Sequence, residues 1–251
     1  MQGRSPVDIC FTVGKRGKRN AIDSLISSIC DLLCIGGNTI TVARSDINSN
    51  RISGIVSLTY FNREAILIYL VLAVLCIAAA ITYTVGKNAY GYRGLGDIMV
   101  FIFFGLVSVI GVFGLYGEGF EWLVLFPAIS MGAWSTAVLN LNNLRDISND
   151  AKMQKRTMVV QLGFERAKLY HVFLVSSGLA TWFFTVYLLA FNTYNYWLFG
   201  ALLPSIGFVL HLKRVLDNQT PAALDPELKK VALLTFFSAL LFAILLNFAP
   251  H

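Results

Sequence analysis

Asn142, Asp146 and Asp150 recur at intervals of four residues in the stretch Asn140-Leu-Asn-Asn-Leu-Arg-Asp-Ile-Ser-Asn-Asp150. On a helix each step of four drifts by only about 40°, so one amide oxygen and two carboxylates share a face. That is a hard-oxygen set suited to Mg2+, which is held by one or two carboxylates together with substrate phosphates. Lys152, Lys155 and Arg156 follow at once, and Arg145 lies inside the motif. Acids for a cation beside bases for oxyanions form the donor set that a magnesium diphosphate requires. The competing reading is a solvated helix end carrying i, i+4 charge pairs.

A second polar cluster runs from Tyr83 to Asp97. Four glycines (Gly86, Gly91, Gly94, Gly96) fall within eleven residues, which allows close approach of backbone to a ligand. Lys87, Arg93 and Asp97 add charge, and Tyr83, Tyr90 and Tyr92 can line an apolar pocket or face a cation. A tight turn flanked by interfacial aromatics is the alternative.

The elements that must position these clusters are apolar. The chain has 251 residues, of which 56% are hydrophobic and only 14% charged, and its mean hydropathy is +0.66. A soluble domain carries about 25% charged residues, so disorder and an ordinary water-soluble enzyme are both excluded. Six apolar stretches stand out, at about 65–86, 98–116, 121–140, 168–191, 195–212 and 231–249. Each approaches the roughly 20 residues that cross a bilayer, and backbone satisfaction in lipid demands helices. The prediction is an all-α, polytopic transmembrane helix bundle. Pro127 and Pro204 fall within spans, where kinks are tolerated. The Asn and Asp side chains of the first cluster abut a membrane helix, where polar groups are expensive unless used, and this favours a functional reading.

The net charge of +6 takes its meaning from position. All twelve basic residues after position 64 fall between the first and second, third and fourth, or fifth and sixth spans. The connections 117–120 and 192–194 carry none. Positive-inside placement makes the basic side cytoplasmic and puts the C-terminus outside. The charge is therefore orientation and anion binding, not a nucleic-acid footprint. Four scattered cysteines (Cys10, Cys30, Cys34, Cys76) and three scattered histidines form no zinc pattern.

Residues 1–63 differ from the rest. They hold eight basic residues and are richer in Ser, Asn and Gly. They read as an atypical N-terminal segment, either one weak span at 21–42 or disorder, ahead of a transmembrane domain at 64–251.

The motif NNLRDIxxDxxxxKRT, followed by Val160, Leu162 and Gly163, resembles the second aspartate-rich motif of UbiA-type membrane prenyltransferases. The loop YTVGKNxYGYRGLGD is similar to that of the family's 1,4-dihydroxy-2-naphthoate branch, which serves menaquinone synthesis. The resemblance covers about 65–249. It implies a nine-helix bundle around a cavity that is capped by cytoplasmic loops and open sideways to lipid, in the bacterial cytoplasmic membrane. It also implies Mg2+ as cofactor, polyprenyl diphosphate and 1,4-dihydroxy-2-naphthoate as substrates, and no nucleic acid. The implied reaction is prenyl transfer to the naphthoate ring with decarboxylation, giving demethylmenaquinone. Asn142, Asp146 and Asp150 would be metal-side ligands. Arg145, Lys155 and Arg156 would contact the diphosphate, with Asn143 beside them, and Lys87, Tyr92, Arg93 and Asp97 would belong to the cap.

Two departures qualify the match. Gln154 stands where the family usually has Gly before Lys-Arg-Thr. The family's first motif, NDxxDxxxD, has no counterpart in 1–63, where Arg44-Ser-Asp46-Ile-Asn48-Ser-Asn50 is the nearest approach. The expectation is thus six of nine helices and half of the metal site missing, which would impair the activity of this chain by itself. Another aromatic acceptor, or a non-enzymatic membrane protein such as a small transporter or assembly partner, remain as alternatives. The last would need ionisable groups inside spans, and apart from His171 and His211 there are none.

Overall fold

The computed structural model describes residues 63–84, 90–115 and 121–247. The readings made for 1–62 and for Lys87 lie outside these residues. Everything described is helix or short connection, with no strand among the described residues.

The first rod is α1 (Arg63–Thr84). After a 3-10 turn at Tyr90–Arg93 come α2 (Gly96–Val100), a π-helical segment (Phe101–Val107) and α3 (Ser108–Leu115), which together make one continuous rod. Next are α4 (Leu125–Arg145) and the short helices α5 (Ile147–Lys152) and α6 (Met158–Leu162). Three further rods follow: α7 (Phe164–Asn192), α8 (Pro204–Asp217) with its 3-10 lead-in Tyr196–Leu202, and α9 (Asp225–Asn247).

Five runs are long and apolar enough to cross a membrane: Gly96–Gly114, Trp122–Arg145, Phe164–Asn192, Tyr196–Asp217 and Pro221–Asn247. They coincide with the last five spans read from the sequence. The first span corresponds to α1, whose apolar stretch Tyr69–Tyr83 is shorter. Both prolines fall in first turns rather than helix interiors, Pro204 opening α8 and Pro127 lying two residues into α4. Their missing N–H groups are there among those with no intrahelical partner anyway.

The central rod is α4, packed against α7, the π segment and α9. Trp134 of α4 stacks on Phe208 of α8 at 4.6 Å and meets Trp182 of α7 at 5.6 Å, and Trp182 meets Phe242 of α9 at 5.0 Å. This fully buried aromatic column ties four rods together. Each indole N–H is satisfied by a backbone carbonyl, of Val175 and of Ala201 respectively. Between membrane helices such a column contributes through close van der Waals packing rather than through removal of apolar surface from water. The π segment lies backbone to backbone on α4, because a Cβ at Gly105 would come within 2.6 Å of the Ala128 carbonyl oxygen and the Gly132 Cα. Outward, Phe173, Phe183, Ile206, Val209 and Phe236 are exposed. Such a surface suits hydrocarbon and would be an aggregation hazard in water.

Candidate functional site

At one end of the bundle the last turn of α4, helices α5 and α6, and the start of α2 close around a cavity of about 190 Å3. Asp97, Asn142, Asn143, Asp146, Asp150 and Lys155 line it, together with Tyr83, Gly91, Gly94, Gly96, Leu139, Thr157 and Met158. The two polar clusters of the sequence, some fifty residues apart, therefore meet in one place.

Local rules explain how each group is placed. The α4 pattern runs almost unbroken into α5. Asp146 leaves helical geometry at φ −96° and ψ 8°, yet its N–H still donates to the Asn142 carbonyl at 3.1 Å and its carbonyl accepts from Asp150 at 2.9 Å. The i, i+4, i+8 face is kept, and all three oxygen-bearing side chains turn to the cavity. Helix α5 then ends in a Schellman motif. The Gln154 N–H donates to the Ala151 carbonyl at 3.1 Å and the Lys155 N–H to the Asp150 carbonyl at 2.9 Å, with Gln154 at φ 57°. That left-handed position is where glycine is usually found, which accounts physically for the glycine of the family pattern. The reversal brings Lys155 back over α5, where its Nζ sits 2.9 Å from Asp150 Oδ1. Thr157 caps α6, its hydroxyl accepting from the Val160 N–H. Gly94, at φ 81°, gives the turn into α2 its left-handed residue, and a side chain there would collide with Gln161.

Arg145 bridges three elements. Its guanidinium donates to Asp146 at 2.8 Å, to the Asn142 amide oxygen at 2.9 Å and to Asp225, the first residue of α9, at 2.9 Å. The guanidinium beside it holds the Asp146 carboxyl below the usual carboxylate range. Arg145 thus contacts the motif from the side and is not among the cavity-lining residues. Arg156 and Arg93 are exposed, and the Arg156 carbonyl accepts from the Gln161 amide at 2.7 Å. Tyr92 lies in the Tyr90–Arg93 turn.

The donor set fits a hard divalent cation: two carboxylates and an amide oxygen on one cavity wall, their charge balanced by Arg145 and Lys155. Among the described residues no three His, Cys, Asp or Glu side chains converge to hold a metal by themselves. A cation there would accordingly rely on Asn142 and on oxygens of its ligand.

Leu139, Met158, Asp225 and Tyr170 were not singled out from the sequence. Leu139 is one turn before Asn142, so helical periodicity alone could have found it. Tyr170, in α7, lies beside the Asp97 carboxylate; it carries no local signal in an apolar span.

A second polar group joins α7, α8 and α9 deeper in the bundle. His171 and His211 share a hydrogen bond of 2.8 Å, and His211 Nδ1 lies 2.8 Å from Glu227. Glu227 also pairs with Lys230 and, at 3.7 Å, with Arg214.

The UbiA prenyltransferase family profile matches residues 52–240. The chain is 37% identical over 192 residues to the 1,4-dihydroxy-2-naphthoate octaprenyltransferase of Haemophilus influenzae, covering 76% of this chain and 61% of that protein. It is 40% identical over 181 residues to the Escherichia coli protein of the same name, covering 70% and 56%. A UbiA prenyltransferase domain-containing protein 1 homolog of Drosophila melanogaster is 24% identical over 168 residues, covering 67% and 44%. The chain therefore spans about three fifths of the length of the curated bacterial relatives it matches. No solved structure matches it significantly.

Proposed function

The chain belongs to the UbiA prenyltransferase family, and from that membership we propose that its loop cavity binds a polyprenyl diphosphate with Mg2+ and transfers the prenyl group to 1,4-dihydroxy-2-naphthoate. The observation that carries this reading is the convergence of the aspartate motif, Lys155 and the 91–97 turn in one cavity at a helix-bundle end. The names of the bacterial relatives support the acceptor. The concentration of basic residues at the cavity end supports a cytoplasmic site in the bacterial cytoplasmic membrane with the C-terminus outside.

In this reading Asn142, Asp146 and Asp150 hold the metal side, and Mg2+ when bound supplies electrophilic stabilisation to the departing diphosphate. Lys155 moves from Asp150 to diphosphate oxygen, Arg145 and Arg156 face the same charge from the rim, and Asn143 adds an amide to the wall. Lys87, Tyr92, Arg93 and Asp97 belong to the cap. The allylic C–O bond breaks as the ring carbon bearing the carboxylate forms the new C–C bond, and loss of carbon dioxide restores the aromatic ring. Tyr83 and the apolar wall exclude water and present an aromatic face to the developing positive charge. Placement at the membrane surface suits a donor whose tail is insoluble in water.

The test is incorporation of radiolabelled polyprenyl diphosphate into 1,4-dihydroxy-2-naphthoate by membranes expressing the chain. Asp146→Asn is expected to lower incorporation by about 100-fold or more, as for loss of a group that stabilises transition-state charge. Full activity in that variant would exclude the assigned role.

A further inference from the structure

We propose that Asp97 accepts a hydrogen bond from a ring hydroxyl of the aromatic acceptor; this rests on the prenyl-transfer reading of the cavity. Asp97 lines the cavity but is only 3% exposed, and its Oδ2 is buried with no hydrogen-bond partner. A buried acceptor left unmade costs about 1–3 kcal/mol, more when charged, so such an atom calls for an explanation. The rest of the residue is held firmly. The backbone carbonyl of Asp97 accepts from Thr136 of α4 at 3.4 Å, and Tyr170 of α7 lies beside the carboxylate. Gly96 and Gly94 bring the turn against Tyr83 and Arg156 without side chains in the way.

The chemistry of the vacant lone pairs selects the ligand. Asp97 does not join Asp146 and Asp150 as a third cation ligand, because among the described residues no three such side chains converge. A diphosphate offers oxygen acceptors and negative charge, both of which a carboxylate repels. Of the two proposed substrates, only the aromatic acceptor carries O–H donors. A carboxylate accepting from a ring hydroxyl also pushes electron density into the ring, which favours attack on the prenyl carbon. A site built this way rejects a ring lacking the hydroxyl, because its own buried acceptor is then left unpaired.

The full chain in lipid nanodiscs is titrated with three probes: 1,4-dihydroxy-2-naphthoate, 2-naphthoate and a prenyl thiodiphosphate with Mg2+. The unaltered protein is expected to bind the dihydroxy compound about 10- to 100-fold more tightly than 2-naphthoate, as for a hydrogen bond to a charged group. Asp97→Ala should erase that preference and leave thiodiphosphate affinity within about twofold. Asp97→Asn, which preserves shape, carries the same test if the alanine variant does not fold. An undiminished preference in the Asp97 variants, or equal weakening of both naphthoates, overturns the inference while the cavity reading stands. Failure of the unaltered chain to bind the thiodiphosphate overturns the cavity reading itself, and the inference with it.

Discussion

The two ends of this helix bundle are built from the same rods and share almost no chemistry. The cavity end gathers Asp97, Asp146, Asp150, Lys155 and Arg145, most of them paired, around a polar wall. At the opposite end Tyr187 meets Phe191 at 4.6 Å, Phe191 meets Tyr196 at 5.7 Å, and Trp122 and Trp197 are largely exposed. The connection 192–194 there contains no base, and Glu121, beside Trp122, is an acid. Aromatic side chains with an apolar body and a polar tip suit the level of lipid head groups, and they ask nothing of one another beyond packing. Charges asked to sit against a membrane must be partnered or used. The contrast teaches that one end is a resting surface and the other a working one.

Substitutions can break or sharpen this contrast. Glu227→Ala has the largest expected effect, because it strands His211 inside the bundle and releases Lys230 and Arg214. Removing one member of a buried charged group costs about 3 kcal/mol, read as a lowered thermal midpoint in detergent. Gln154→Gly works the other way. Relieving a left-handed non-glycine residue should stabilise by about 1 kcal/mol and leave the cavity intact, seen as a raised midpoint.

Arg145→Met should alter pH dependence rather than fold. The carboxyl of Asp146 is held low by Arg145, so its contribution is present above the unfolded carboxylate value and is lost only as pH falls through the lowered folded value. Across pH 5–8 it is therefore constant, taking about 3.9 as the ordinary Asp value. Without Arg145 the acid-side fall in prenyl incorporation should move to higher pH in a pH–rate profile. Trp197→Ala, at the aromatic end, should change incorporation by less than about twofold.

The rods were legible because apolar runs of membrane length have few alternatives, and five of them fall where the hydropathy pattern puts them. The Asn142, Asp146 and Asp150 face was legible because four-residue spacing survives the geometric break at Asp146. What stayed hidden depends on partners far along the chain. Lys168 reads as one more basic residue at a span boundary. It is 2% exposed, and it donates to the Leu216 and Asn218 carbonyls at the C-terminal end of α8, forty-eight and fifty residues away. Asp225 likewise gains its meaning only when α9 meets Arg145. The left-handed backbone of Gln154 has no sign in the sequence, because a residue's φ is not written in its identity.

The π segment at Phe101–Val107 governs how tolerant the facing of Asp97 is to a change in chain length. The Ser108 N–H donates to the Phe103 carbonyl five residues back, so this stretch turns by less per residue than the roughly 100° of an α-helix. The wider turn carries one additional residue with little change in the rotational phase of its flanks. Removing a single residue within 101–107 should therefore restore α-helical winding and leave Asp97 facing the cavity. The same deletion in a regular α-helical rod would swing the preceding turn by roughly 100° about its axis.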